Sequence, residues 1–109
     1  MLHAFSGDTA FAAVVLDLGL YVSFAGNVTY TNKKFQTLQS AAIGISAERI
    51  LIETDAPYLT PEPLRGRQKR NEPANLVLTI ERLASVRGAT LAEIQKLTAA
   101  NARRLFGIN

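Results

Sequence analysis

The chain has 109 residues, with 12 Lys and Arg against 9 Asp and Glu, one His and no Cys. That length allows one domain, and a composition 48% hydrophobic and 19% charged supports a buried core rather than a disordered tail. Without Cys there is no disulfide scaffold, no Cys-ligated zinc and no thiol nucleophile, so any metal must be held by oxygen or imidazole. No uncharged apolar run approaches the ~18 residues of a membrane span and no leader pattern is seen, so no membrane partner is expected and a cytoplasmic protein is the default.

Residues 1–5 form a short apolar stretch broken by His3, and Ser6-Gly7-Asp8 offers a turn and a helix N-cap, so a strand end entering a helix is expected. Phe11, Val14, Val15 and Leu18 recur at i, i+3, i+4 and i+7, which predicts a helix over 8–18 with one apolar stripe and Gly19 as its left-handed cap. A β-prone run predicts a strand over 20–25 that stops near Gly26, with loop over 27–32. Phe35, Leu38 and Ala42 then repeat at helical spacing toward Gly44. Ile50-Leu51-Ile52-Glu53-Thr54 reads as a third strand, its apolar part suited to burial on both faces of a parallel sheet, with Asp55 at its C-terminal end.

Residues 56–72 contain Pro57, Pro61, Pro63 and Gly66 and no periodicity, which predicts a long loop of the functional or disordered kind. Pro73 suits a first helical turn, and Leu76, Val77, Ile80, Leu83 and Ala84 build an apolar face up to Gly88. Thr90 and Glu93 have capping-box spacing, opening a helix with Leu91, Ile94 and Leu97 on one side, and a last short helix through Leu105 and Phe106 ends at Gly107. Strand, helix, strand, helix, strand, long loop and helices imply an α/β fold of parallel strands with right-handed crossovers. Three parallel strands leave sheet edges uncovered, so residues 1–109, read as a single segment, are expected to be part of something larger.

Ligands in parallel α/β folds collect at the C-terminal ends of strands, where His3, Asp55 and the following loop fall. An imidazole and a carboxylate suit zinc, manganese or magnesium, and either can exchange a proton with water. The alternative is an N-terminal His without a role and an Asp that caps the Ala56-Pro57 turn. Glu53, two residues before Asp55, either faces the same way or pairs with an Arg. Arg65, Arg67, Lys69 and Arg70 against Glu72 make residues 65–72 net +3, beside a 48–64 segment of net −3. Phosphate is the natural partner of such a cluster, and a solvated surface is the alternative. Asn71, before Glu72 and Pro73, is expected as an N-cap, and Gly7 and Gly26 as turn-forming positions.

His3-Ala4-Phe5-Ser6-Gly7, Glu53-Thr54-Asp55-Ala56-Pro57-Tyr58-Leu59 and Arg70-Asn71-Glu72-Pro73, in this order and spacing, resemble the C-terminal part of the TatD family of metal-dependent deoxyribonucleases. Residues 101–106 resemble the closing segment of that family, so the likeness covers nearly the whole chain. The resemblance implies a partial TIM-type (βα)8 barrel: about three parallel strands with flanking helices, and extra C-terminal helices. It also implies one or two divalent metal ions (Mg, Mn or Zn) and hydrolysis of phosphodiester bonds in DNA. By position it makes His3 and Asp55 metal ligands, with Asp55 also orienting or deprotonating the attacking water. Arg65, Arg67, Lys69 and Arg70 would lie where a scissile phosphate approaches, and Asn71 and Glu72 would shape the loop. Ala4 stands where many members have Cys.

A full barrel needs about 250 residues, and the family's His-x-His pair and further middle-strand ligands are not in this chain, which has one His. Negligible hydrolysis by the isolated chain is therefore expected, with the missing barrel half, in a longer or partner chain, or self-association needed. The alternatives are a non-catalytic half-barrel that oligomerises and binds nucleic acid through its basic loop, and a gene remnant without a role.

Overall fold

Helix α1 (Thr9–Asp17) begins where the Asp8 carboxylate accepts the Phe11 amide at 2.9 Å, and Gly19 beyond it takes the left-handed φ of +77°. Cap and stop both fall where the sequence pattern puts them. The coordinates are those of a computed structural model and describe residues 1–108. Strand β1 (Val22–Phe24) pairs in parallel with β2 (Ile50–Ile52), in register Val22 to Ile50, Ser23 to Leu51 and Phe24 to Ile52.

The expected first strand is reduced to a single parallel bridge between Leu2 and Val22. The Leu2 amide donates to the Tyr21 carbonyl, the Ser23 amide to Leu2 and the Phe5 amide to Ser23, each at 2.9 Å. Between them Ala4 adopts φ +45°, a left-handed conformation that breaks extended pairing. The third expected strand is also shorter than 50–54. Its last rung is the Glu53 amide on the Phe24 carbonyl at 2.9 Å, and Asp55 then turns at φ +55°. Two short strands and one bridging residue thus replace three strands.

Helix α2 (Gln36–Gly44) lies between the strands, and α3 (Leu76–Arg87) and α4 (Leu91–Phe106) follow the long loop. All four helices pack on one core: Ala12 and Val15 of α1, Leu38 and Ala42 of α2, Ile80 and Leu83 of α3 and Ile94 of α4 surround Val22, Phe24 and Ile50. Burying Leu38, Leu83 and Ile94 contributes roughly 1.5–3 kcal/mol each. The radius of gyration, 13.1 Å, matches the ~13 Å of a well-packed chain of about 100 residues. Among the described residues no helix is long and apolar enough to cross a membrane.

Three details correct the sequence pattern. In α1 the buried residues are Ala12 and Val15, whereas Phe11, Val14 and Leu18 are 49%, 55% and 70% exposed. The periodicity located the helix, but its widest apolar stripe faces away from this core. Residues 91–106 form one helix instead of two, because no Gly or Pro interrupts them and the Thr90–Glu93 capping box anchors the start. Its buried line is Ile94, Thr98 and Asn101, with Leu91 at the surface. Asn101 is buried because its amide donates to the Ala47 and Ile50 carbonyls at 2.8 Å each, tying α4 to the start of β2.

The C-terminal carbonyls of α2 are met from another helix. Arg87, at the end of α3, donates to the carbonyls of Ala42, Ile43 and Ile45 at 2.8, 3.2 and 2.7 Å. Burial lowers the pKa of its guanidinium, and three carbonyl acceptors satisfy donors that would otherwise be desolvated without partners.

Candidate functional site

The two strands and the Leu2 bridge run in the same direction, so residues 3–4, 25–26 and 53–55 share the C-terminal edge of the sheet. There His3, Glu53 and Asp55 each offer one nitrogen or oxygen atom, all within 4.8 Å of one another. His3 Nδ1 lies 3.5 Å from Glu53 Oε1. The other carboxylate oxygen of Glu53 accepts the Ala4 amide at 3.0 Å, at the residue whose backbone is left-handed. A non-glycine residue held there costs on the order of 1–3 kcal/mol, and such costs concentrate at functional sites. Asp55 pays less in the same region, since Asp tolerates left-handed backbone better than Ala.

Of the two roles the sequence allows Glu53, facing the site or pairing with an Arg, its contacts fit the first: they are the His3 imidazole and the Ala4 amide. The His3 side chain is 70% exposed and that of Glu53 18%. One imidazole and two carboxylates form a donor set suited to a divalent cation, since catalytic zinc sites commonly combine three such ligands with one open position. The residues present therefore fit a divalent metal ion, with His3 the least confined of the three.

The loop after Asp55 is ordered by buried amides rather than capped as a helix. Asn71 is 4% exposed, and its side chain donates to the carbonyls of Thr54 and Tyr58 at 2.7 and 2.8 Å. It is not an N-cap; Glu72 occupies that position before the short 3-10 turn Pro73–Asn75 and makes no side-chain cap bond. Asn75 donates to Asn71 Oδ1 at 3.1 Å, completing a chain of amides from β2 to α3. Glu72 itself is exposed. Gly26 is required by close approach, not by a turn: a Cβ there would lie 2.0 Å from the Leu59 carbonyl oxygen and 3.0 Å from the Pro61 nitrogen. Gly7 is likewise confined, with a Cβ 2.7 Å from the Phe11 ring.

The basic run is moored at both ends. Arg65 lies over the Tyr30 ring at 3.7 Å from its centroid and donates to Asn32 Oδ1 at 2.8 Å, so its charge is held against aromatic and amide surface. Tyr30 donates to the Thr60 carbonyl at 3.1 Å, and burial raises the pKa of its phenol, with Arg65 opposing that shift. The Glu62 amide donates to Thr29 Oγ1 at 2.8 Å, and residues 61–68 close a compact turn through the Pro61 and Leu64 carbonyls. Arg67, Lys69 and Arg70 remain exposed. Of the four cations in the sequence pattern, three are presented and one fastens the loop.

These features define a parallel α/β chain with a candidate cation cluster at the C-terminal edge of its sheet and a moored basic loop beside it. The chain belongs to the TatD related DNase family, whose profile matches residues 1–107. It is 40% identical over 109 residues to the uncharacterized metal-dependent hydrolase YabD of Bacillus subtilis, covering all of this chain and 41% of YabD. It is also 40% identical over 111 residues to the protein named 3'-5' ssDNA/RNA exonuclease TatD of Klebsiella pneumoniae, covering all of this chain and 42% of that protein. Among solved structures, the TatD homolog YJJV of Escherichia coli superimposes with a TM-score of 0.87 at 24% identity, covering 98% of this chain and 40% of that one. The chain thus spans about two fifths of the length of the relatives it matches.

Proposed function

We propose that this chain is the C-terminal part of a TIM-type (βα)8 barrel that hydrolyses phosphodiester bonds of DNA with a divalent metal ion, and that these 109 residues alone turn over negligibly. The observation that carries the reading is the convergence of His3, Glu53 and Asp55 within 4.8 Å at the C-terminal edge of a parallel sheet. The short sheet and the two-fifths coverage of relatives support the partial barrel.

His3 and Asp55, joined by Glu53, would hold the cation, which when bound supplies Lewis acidity at a phosphoryl group. Asp55 also offers a carboxylate to orient a water and take its proton. Glu53, held by the Ala4 amide, faces the exposed His3 ring at 3.5 Å and so helps to orient it. Arg67, Lys69 and Arg70 attract the phosphates, while Asn71 holds the Thr54–Tyr58 turn in place. With one imidazole in the chain, the site lacks the confinement that efficient hydrolysis requires.

The test is Mn2+ binding and single-stranded DNA hydrolysis by the purified chain and its H3A/D55A variant. Mn2+ binding that disappears in the variant, with negligible turnover in both, is expected; brisk digestion that survives both substitutions would overturn the reading. The exposed Phe11, Val14 and Leu18 stripe favours a second possibility, a non-catalytic half-barrel that self-associates and binds nucleic acid. A concentration-independent monomer in light scattering would remove it.

A further inference from the structure

Three tyrosines occur in the chain, and two are buried: Tyr21 is 9% and Tyr30 5% exposed, whereas Tyr58 is 70% exposed. The Tyr58 backbone is fixed at both of its polar groups. Its amide donates to the Asp55 carbonyl at 2.8 Å, and its carbonyl accepts the Asn71 side chain at 2.8 Å. A rigid main chain thus holds out an aromatic ring one turn from the carboxylate cluster.

Tyr58 is among the residues that line a cavity of about 430 Å³ formed by 57–60 and 65–69. Arg65 is occupied by Tyr30, and Arg67 and Lys69 are exposed. A second cavity, of about 420 Å³, adjoins at Pro57 and includes Arg70. Tyr58 with Arg67 and Lys69 on one cavity, and Arg70 on the adjoining one, supply the two parts of a sequence-tolerant single-strand site: the base stacks and the backbone is neutralised. Duplex DNA suits it less, because its bases are already stacked on one another.

Resting on the nuclease reading above, we infer that Tyr58 is a stacking platform that selects single-stranded nucleic acid, one unpaired base lying on its ring while Arg67, Lys69 and Arg70 hold the flanking phosphates. The pairing of one free ring with three free cations commits the groove to a nucleotide chain over a simple anion, since inorganic phosphate has no use for the ring. Tyr58 is here a specificity-determining residue, not one that reacts.

The chain has no Trp, so tyrosine emission reports directly on its rings. The purified 109-residue chain is titrated at low salt with an oligothymidylate, an abasic oligomer of the same length and inorganic polyphosphate, with displacement of a labelled oligomer giving affinities. Saturable quenching by oligothymidylate alone is expected, with the abasic oligomer bound about tenfold more weakly. Y58L should lose the quenching and the tenfold preference, and Y58F should keep the preference; Tyr58 is exposed, so neither substitution disturbs the core. Equal affinity for thymidylate and abasic oligomers, or unchanged quenching in Y58L, would overturn the stacking role while leaving phosphate binding intact. Failure of all three probes to bind would overturn the nucleic-acid reading beneath it.

Discussion

The loop that joins β2 to α3 and the helix α1 treat their exposed surfaces in opposite ways. Around the loop, Asn71, Asn75, Thr29 and Tyr30 meet backbone and side-chain partners within the chain, and Gly26 lets two backbones touch. On α1, Val14 and Leu18 face outward with more than half of their surface exposed. The difference is between a loop whose amide and hydroxyl groups find partners inside the chain and a helix whose outward apolar side chains do not.

Gly26 tests that contrast most severely. Gly26→Ala should cost more than ~4 kcal/mol or prevent folding, since the clash is with backbone and cannot be relieved by a rotamer. Gly44→Ala, with nothing within 4 Å of the added carbon, should be near neutral in the same urea titration. Asn71→Ala, which strips two carbonyls of their donor, should cost about 1–3 kcal/mol. Amide exchange should show the loss concentrated in residues 54–58; a uniform loss would mean the amide network is not local.

Tyr30→Phe sharpens the same region by pH. The folded-state pKa of Tyr30 is raised, so its contribution is present below the unfolded value of about 10 and is lost as pH rises through the folded value. Wild type should therefore lose stability more steeply than Tyr30→Phe above about pH 10, and the variant should also be weaker by about 1 kcal/mol at neutral pH through the missing bond to Thr60. Identical alkaline slopes would refute the assignment. The smallest effect belongs to α1: Val14→Ser with Leu18→Ser should shift stability by no more than about 0.5 kcal/mol per site while reducing any concentration-dependent association. A loss of several kcal/mol would mean the stripe is packed after all.

Chain order exposed much of this design to sequence reasoning. The α1 cap at Asp8, the Thr90–Glu93 box and the stops at Gly19, Gly88 and Gly107 are local signals and fall where the pattern puts them. Asp55 and Glu53 do meet, within 4.8 Å, although β2 ends at Ile52 and Asp55 lies beyond it on left-handed backbone, outside the alternation of a strand. Asn101 and Asn71 were less legible because their partners lie 51 and 17 residues away, across elements whose docking no spacing rule encodes. Arg65 illustrates the same limit, since a run of cations gives no sign that one of them will settle on an aromatic ring.

Arg87 carries a consequence of its own. The far end of α2 relies on a guanidinium borrowed from α3 in place of a left-handed glycine, so neither helix can fray there without the other. Deuterium uptake at the closing turns of both should accordingly rise in step, as one cooperative opening unit.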